Sequence, residues 1–235
     1  MKNNLLQKMK LNVRRSAKFF AAAFLITFMA SCEHVPGLED VIKDRDKDKK
    51  VKTYVTDLHP LNNSGVMGTA TFMYREGGDF KAKVKAEGLV PGMPHPQHIH
   101  GFVMENMADQ DAVCPPESAA GSDGLITLPD GLPFYGPVLI PLDDRLVPLA
   151  VNDFPVANPA GIITYLETVG LGMLVSAFDA AMPGSQSAKD LNLEKRVVVL
   201  HGAYVKDNMI VPAGTEGAEY VATLPVACGE IREVR

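Results

Sequence analysis

The sequence lacks two features that would each point to a large class of proteins. It has no excess of positive charge, because 23 Lys and Arg residues stand against 28 Asp and Glu residues and give a net charge of −5. Binding to nucleic-acid phosphates needs a basic face, so this balance argues against a nucleic-acid partner. It also has no long apolar run: the stretch at 19–30, FFAAAFLITFMA, is shorter than the ~20 residues of a membrane-spanning helix.

The short motifs of several enzyme classes are missing as well. The chain contains no G-x-S-x-G, no H-E-x-x-H, no phosphate-binding loop and no G-x-G-x-x-G. These absences argue against serine hydrolases of the α/β type, zinc proteases, P-loop enzymes and dinucleotide-binding enzymes. Asp143 and Asp144 are adjacent in PLDDRL, and such loop carboxylates are usually solvated rather than catalytic.

The N-terminal segment is predicted to be a targeting signal. Basic residues precede the apolar stretch, and the small residues Ala30 and Ser31 come directly before Cys32. This arrangement resembles the lipobox of bacterial lipoprotein signals, which implies that residues 1–31 are removed and that Cys32 carries the lipid. The protein is then exported and anchored to the outer membrane, on its periplasmic or surface face. An ordinary secretory signal and a single membrane anchor are the alternatives.

Residues 32–52 are rich in charge and poor in apolar side chains, so they are predicted to be a disordered tether. The tether leads to one domain at 53–235. That domain contains two cysteines, Cys114 and Cys228. In an oxidising compartment an even number of cysteines suggests one disulfide, and two unrelated buried thiols are the alternative.

Strands are predicted at both ends of this domain. Apolar residues at 80, 82, 84 and 86 alternate with lysines, the run around Phe72 alternates in the same way, and REGGD between them favours a turn. These features predict a β-hairpin. The β-branched run KRVVVLHGAYV and the segment EYVATLPVACGEIREV predict further strands near the C-terminus.

The middle of the domain, at about 103–190, is richer in Pro, Gly and Asp. Short strands are predicted at GLITL and YGPVLIPL. Apolar residues then recur at helical spacing, which predicts a helix docked on the sheet: Ile162, Leu166, Val169, Met173 and Ala177. Strands at both ends with a long connection predict an all-β fold, a Greek-key antiparallel β-sandwich or barrel with a long central insertion containing a helix.

Three of the six histidines lie in PHPQHIHGF, where His98 and His100 flank Ile99. Side chains two apart on a strand point to the same face, so this pair can clamp copper, zinc or nickel. His201 closes an apolar strand run, where a polar ring is costly to bury unless it is bonded or liganded. Taken singly, each histidine is also explained by hydrogen bonding or exposure to solvent.

Three stretches together resemble the copper–zinc superoxide dismutase family: GLVPGMPHPQHIHGF, EKRVVVLHGAYVKDN and VACGEI. The resemblance covers the two ends of the domain and not its middle. It implies a superoxide dismutase-like β-sandwich in which His98, His100 and His201 bind copper. It also implies a disulfide between Cys114 and Cys228.

The chain departs from that family at two functional positions. No histidine lies between His100 and His201, so the zinc site and the histidine that bridges zinc to copper look absent. The position of the family's active-site arginine is Pro225, although a positive group beside the metal is what attracts the superoxide anion. HIHG followed by a long loop also resembles chordin-type (CHRD) domains, whose role is usually binding.

These features favour an envelope lipoprotein, anchored to the membrane by its lipid, that binds copper through three histidines without an efficient dismutase site. Its small ligand is a metal ion or a small anion. A fourth copper ligand could be water, His95, Met104 or Met107. One alternative is a copper-dependent superoxide dismutase, which converts superoxide to dioxygen and hydrogen peroxide. The other is a sandwich domain that has lost its metal.

Overall fold

The computed structural model describes residues 50–104, 108–150, 153–183 and 191–234. The strands within these ranges are β1 (Lys52–Pro60), β2 (Met67–Tyr74), β3 (Asp79–Glu87), β4 (Gln97–His100), β5 (Val138–Pro141), β6 (Ile163–Gly170), β7 (Val197–Lys206), β8 (Met209–Val211), β9 (Glu219–Glu230) and β10 (Arg232–Val234). The helices are α1 (Leu128–Tyr135) and α2 (Leu171–Ala181), with 3₁₀ turns at Glu117–Ala119 and Leu193–Lys195.

The strands form one curled antiparallel sheet in the order β5-β4-β7-β9-β1-β2-β3-β6, with β10 beside β1 and β8 beside β7. Strand β1 joins two halves, because most of it pairs with β2 while its last two residues pair with β9. Strands β3 and β6 pair in one half, although β4 and β5 lie between them in the chain and pair in the other half. This exchange is a Greek key, so the predicted fold class is confirmed.

Two clusters of buried side chains cover the two faces of the half that contains β4 and β7. The larger cluster is the sandwich core, because it combines Phe72 and Phe80 of one half with Ile99 and Val198 of the other. The smaller cluster lies on the opposite face and contains Val197, Val199, Cys228, Ala112 and Tyr135. Strand alternation places His98 and His100 on this second face, away from Ile99.

The hairpin predicted near the start of the domain is confirmed as β2 and β3. Its inward residues are buried and the lysines at 81, 83 and 85 are exposed, as period-two alternation requires. Phe72 lies opposite Ala82, and Tyr74 lies opposite Phe80. Strand β1, which the sequence pattern did not reveal, pairs with the other edge of β2.

The single helix predicted from the spacing of apolar residues at 162–177 is wrong in its first half. Residues Ile163–Gly170 form β6 and pair along their length with β3; the helix α2 begins only at Leu171. Leu166, assigned to the buried face of a helix, is 62% exposed, while its neighbour Tyr165 is buried. Apolar spacing in a short run does not separate helix from strand, and here the β-branched residues and the free edge of β3 decide.

The strand predicted at GLITL is also wrong, whereas YGPVLIPL contains β5 as predicted. The chain at 124–127 forms no strand and leads into α1. The carboxylate of Asp130 accepts the backbone N–H of Thr127 at 2.9 Å and also its hydroxyl, which fixes the first turn of the helix. Since β5 and β6 both belong to the sheet, the segment 103–190 is only partly an insertion.

The predicted signal peptide at 1–31, the lipidation site Cys32 and the tether up to residue 49 lie outside the described residues. In the part of the chain that is described, no helix is both long and apolar enough to cross a membrane.

Candidate metal centre

Strands β4 and β7 bring His98, His100 and His201 together. The two strands pair directly, with His98 opposite Val199, and the backbone N–H of His201 donates to the carbonyl of Pro96 at 2.8 Å. The ring of His98 lies 5.4 Å from that of His100 and 5.3 Å from that of His201, and the remaining centroid distance is 5.9 Å. One nitrogen from each ring falls within 4.8 Å of the others.

A bulge in β7 positions the ring of His201. The register between β7 and β9 shifts just before His201 and again before Ala203. Gly202 between them has φ +108°, and a Cβ there would overlap the hydroxyl of Tyr220, so the bulge requires glycine. Sequence reasoning missed this irregularity, although glycine inside a strand run is a recognised sign of a bulge that redirects a side chain.

Backbone carbonyls fix which nitrogen two of the rings present. Nδ1–H of His100 donates to the carbonyl of Gly136 at 2.9 Å, and Nδ1–H of His201 donates to the carbonyl of Thr223 at 3.0 Å. Each ring therefore carries its proton on Nδ1 and turns an unprotonated Nε2 toward the other histidines.

Burial keeps all three imidazoles neutral. It lowers the pKa of His98 to about 2, that of His201 to about 3 and that of His100 to about 4. The neighbouring imidazoles lower the pKa values of His98 and His201 further, and no carboxylate of the described residues contributes to any of the three. A neutral imidazole is the form that binds a metal ion.

The three rings fit a metal ion. Nδ1 of His98, Nε2 of His100 and Nε2 of His201 are buried, and none has a hydrogen-bond partner among the described residues. Three such acceptors facing one point are costly unless something binds them. Because metal–nitrogen bonds measure about 2.0–2.1 Å, the nitrogens need to approach by only about 1 Å to share one ion.

Two aromatic rings that the sequence reasoning did not single out pack against the histidines. Phe154 meets His98 edge to face at 5.1 Å between ring centroids, and Tyr135 meets His100 at 4.7 Å. Tyr135 ends α1 and is fully buried, and Gly131 has no Cβ to obstruct its ring. The segment between β4 and β5 thus supplies the ring of Tyr135 and, through Gly136, the carbonyl that orients His100. The segment after β5 supplies the ring of Phe154.

His95, considered from the sequence as a fourth ligand, is a buried structural residue. Its Nδ1 lies 3.0 Å from the carbonyl oxygen of His201, and its Nε2 lies 3.1 Å from that of Val90. The ring thereby links the turn after β3 to the strand that carries His201. Of the two methionines considered as ligands, Met104 donates its backbone N–H to Asp109, and Met107 lies outside the described residues.

Within the described ranges, no arginine or lysine contributes to the pKa of any of the three histidines. Pro225 lies opposite His201 in the β7–β9 ladder, at the position where the resemblance implied an arginine. The guanidinium of Arg196 is held by Asp109 and by the carbonyl of Phe102 at 2.8 Å, so it clamps the loop after β4. Arg232 is exposed and pairs with Asp57.

The predicted disulfide is confirmed: Cys114 and Cys228 are bonded, with their Cα atoms 5.8 Å apart. Cys228 lies in β9 directly opposite Val199, which is itself opposite His98. The bond therefore ties the loop that leads to α1 onto the strands behind the histidines.

Comparisons with known proteins found similarity only among solved structures. No protein-family model matches the chain, and no curated protein matches it. Among solved structures, the chain is similar to a point mutant of Candida albicans superoxide dismutase 5, at 13% sequence identity and a TM-score of 0.35, over 78% of this chain and 93% of that one.

The lowered pKa values predict that the metal-free protein loses stability in mild acid. Above about pH 6.5 the histidines are neutral in both folded and unfolded chains. Below pH 6.5 the histidines of the unfolded chain become protonated. In the folded chain the pKa values are about 4 for His100, 3 for His201 and 2 for His98, so these rings stay neutral. The free energy of unfolding should then fall by up to about 4 kcal/mol per pH unit for three histidines.

Urea unfolding of the metal-free protein at pH 7.5 and pH 5.5 measures this dependence. His100→Phe should flatten it by about a quarter to a third, since one of the three rings of the site is gone and burial also lowers the pKa of His95. Equal stability of the unsubstituted protein at the two pH values would contradict the burial of neutral rings.

Proposed function

We propose that this protein is a copper-binding lipoprotein of the cell envelope, in which a superoxide dismutase-like domain holds the ion through His98, His100 and His201. The observation that carries the proposal is the convergence of three histidine rings, each with one buried nitrogen that has no hydrogen-bond partner among the described residues. Bound copper would supply a one-electron redox centre.

Copper is favoured over other first-row metals by the donor set. Three imidazoles with no thiolate or carboxylate suit several divalent ions, and among these the affinity order places copper highest. The chain's residues orient two of the rings through Gly136 and Thr223 and exclude water by burying all three. Titration of the purified metal-free protein should show one tightly bound copper ion per chain, with weaker zinc binding. Absence of stoichiometric copper binding would defeat the proposal.

The proposed role is copper binding without efficient dismutation. Superoxide is an anion, and a positive side chain near the metal is needed to attract it. Pro225 faces His201, and Arg196 and Arg232 are engaged elsewhere. We expect the copper-loaded protein to catalyse no dismutation in a stopped-flow assay that contains EDTA to sequester free copper ion. Catalysis that persists in EDTA and rises with protein concentration would instead establish the alternative, a superoxide dismutase.

Anchoring through Cys32 belongs to the same proposal and rests on the lipobox resemblance alone. Cells that express the full chain with radiolabelled palmitate should incorporate label into the protein. Cys32→Ala should abolish the labelling and release the protein from the membrane fraction. Labelling that persists in Cys32→Ala would show that the anchor is elsewhere.

A further inference from the structure

Among the residues that the structure describes, no carboxylate is a hydrogen-bond partner of the three histidine rings. Nδ1–H of His100 and Nδ1–H of His201 both donate to neutral backbone carbonyls and not to carboxylates. The ring of His98 meets the ring of Phe154, and the ring of His100 meets that of Tyr135. The partners that the structure shows for these rings are therefore imidazoles, aromatic rings and amides.

The described acidic residues of the surrounding segments bind other groups or face solvent. Asp109 binds the buried guanidinium of Arg196, and Asp143 accepts the backbone N–H groups of residues 145 and 146. Asp153, which precedes Phe154, is exposed to solvent.

An uncharged, buried site discriminates strongly by ionic charge. The cost of moving an ion out of water rises with the square of its charge, so a doubly charged ion costs about four times as much as a singly charged one. No carboxylate of the described part of the chain bonds to the rings to offset that cost. An imidazole bound to a carbonyl is also a less basic ligand than one bound to a carboxylate, which removes a second source of preference for the higher charge.

We infer that the site selects singly charged copper, Cu(I), over Cu(II) and Zn(II), and that Phe154 is a residue that determines this specificity. Phe154 matters because its ring occupies the space beside His98, the most exposed of the three histidines at 8%. An acidic side chain at that position would place a negative charge next to the ion. The inference rests on the proposed copper-binding function and adds the oxidation state to it.

The test is a redox titration of the full-length, copper-loaded protein, followed by electron paramagnetic resonance with ascorbate as reductant. Each Cu(II) ion takes one electron to give Cu(I), and ascorbate is oxidised by two electrons. Phe154→Asp should raise the ratio of Cu(II) to Cu(I) at a fixed ambient potential by tenfold or more, which is about 59 mV in midpoint. The matched control Phe154→Leu removes the ring without adding charge and should change the ratio by less than threefold.

A ratio in Phe154→Asp equal to that of the unsubstituted protein would overturn the inference. So would an equal shift in Phe154→Leu, because the ring and not the charge would then matter. A second measurement needs no variant: Zn(II) at equal concentration should fail to displace Cu(I) from the unsubstituted protein, and displacement would overturn the inference. Failure to bind copper in either oxidation state would instead refute the proposed function itself.

Discussion

Replacing His98 with alanine lowers the affinity for copper by more than about 100-fold, because loss of a residue that merely orients a ligand already costs 10–100-fold. His98 is the best of the three to change. Its side chain retains some exposure, so alanine disturbs packing least there. Competition titration against a chromophoric chelator measures the affinity of the variant and of the unsubstituted protein.

His59→Ala is the matched control for this experiment. His59 also lies on a strand, opposite Cys228, but it is exposed and does not belong to the three-histidine cluster. Its replacement should leave the copper affinity within about twofold, the context-dependent scatter of a surface substitution. Copper binding by His98→Ala at the affinity of His59→Ala would refute the three-histidine site.

Removing the disulfide by the double substitution Cys114→Ser and Cys228→Ala lowers the free energy of unfolding by about 2–5 kcal/mol. The bond closes a loop between residues 114 apart in sequence, so its loss frees a large part of the unfolded chain. Cys228 also packs in the small cluster with Tyr135 and Val199, so the serine is placed at the less buried Cys114.

The same variant should bind copper about 10-fold more weakly, because the disulfide holds the loop leading to Gly136, whose carbonyl orients His100. Urea unfolding and the chelator titration give the two readings. The unsubstituted protein under a reductant, with its thiols then blocked, is the control for the substitutions themselves. Unchanged stability in both samples would show that the bond contributes nothing to the fold.

The sequence predicted the parts of the fold that depend on period-two alternation. The inward and outward residues of β3 follow the pattern that its lysines indicate, and the β-branched run of β7 is a buried interior strand. The prediction of a single helix at 162–177 failed because apolar spacing in this short run is compatible with both a helix and a strand. The β-branched residues favour a strand, and the free edge of β3, a non-local partner, supplies the pairing that makes Ile163–Gly170 one.

The candidate ligands were found from the sequence, and their surroundings were not. H-x-H is a local pattern, and its meeting with His201 required only that β4 and β7 be neighbours. By contrast, Phe154 contacts His98 from a loop and Tyr135 contacts His100 from the end of α1, and no local pattern fixes where either segment lies. The clamp between Arg196 and Asp109 likewise joins residues that are 87 apart in sequence.

The most direct test of the central claim counts the nitrogen ligands of bound copper. Electron spin-echo envelope modulation of the Cu(II)-loaded protein detects the coupling of the copper electron spin to imidazole nitrogens. It should show three coupled imidazoles in the unsubstituted chain and two in His201→Ala. An unchanged spectrum in His201→Ala, or couplings from fewer than three imidazoles in the unsubstituted chain, would contradict a site built from β4 and β7 together.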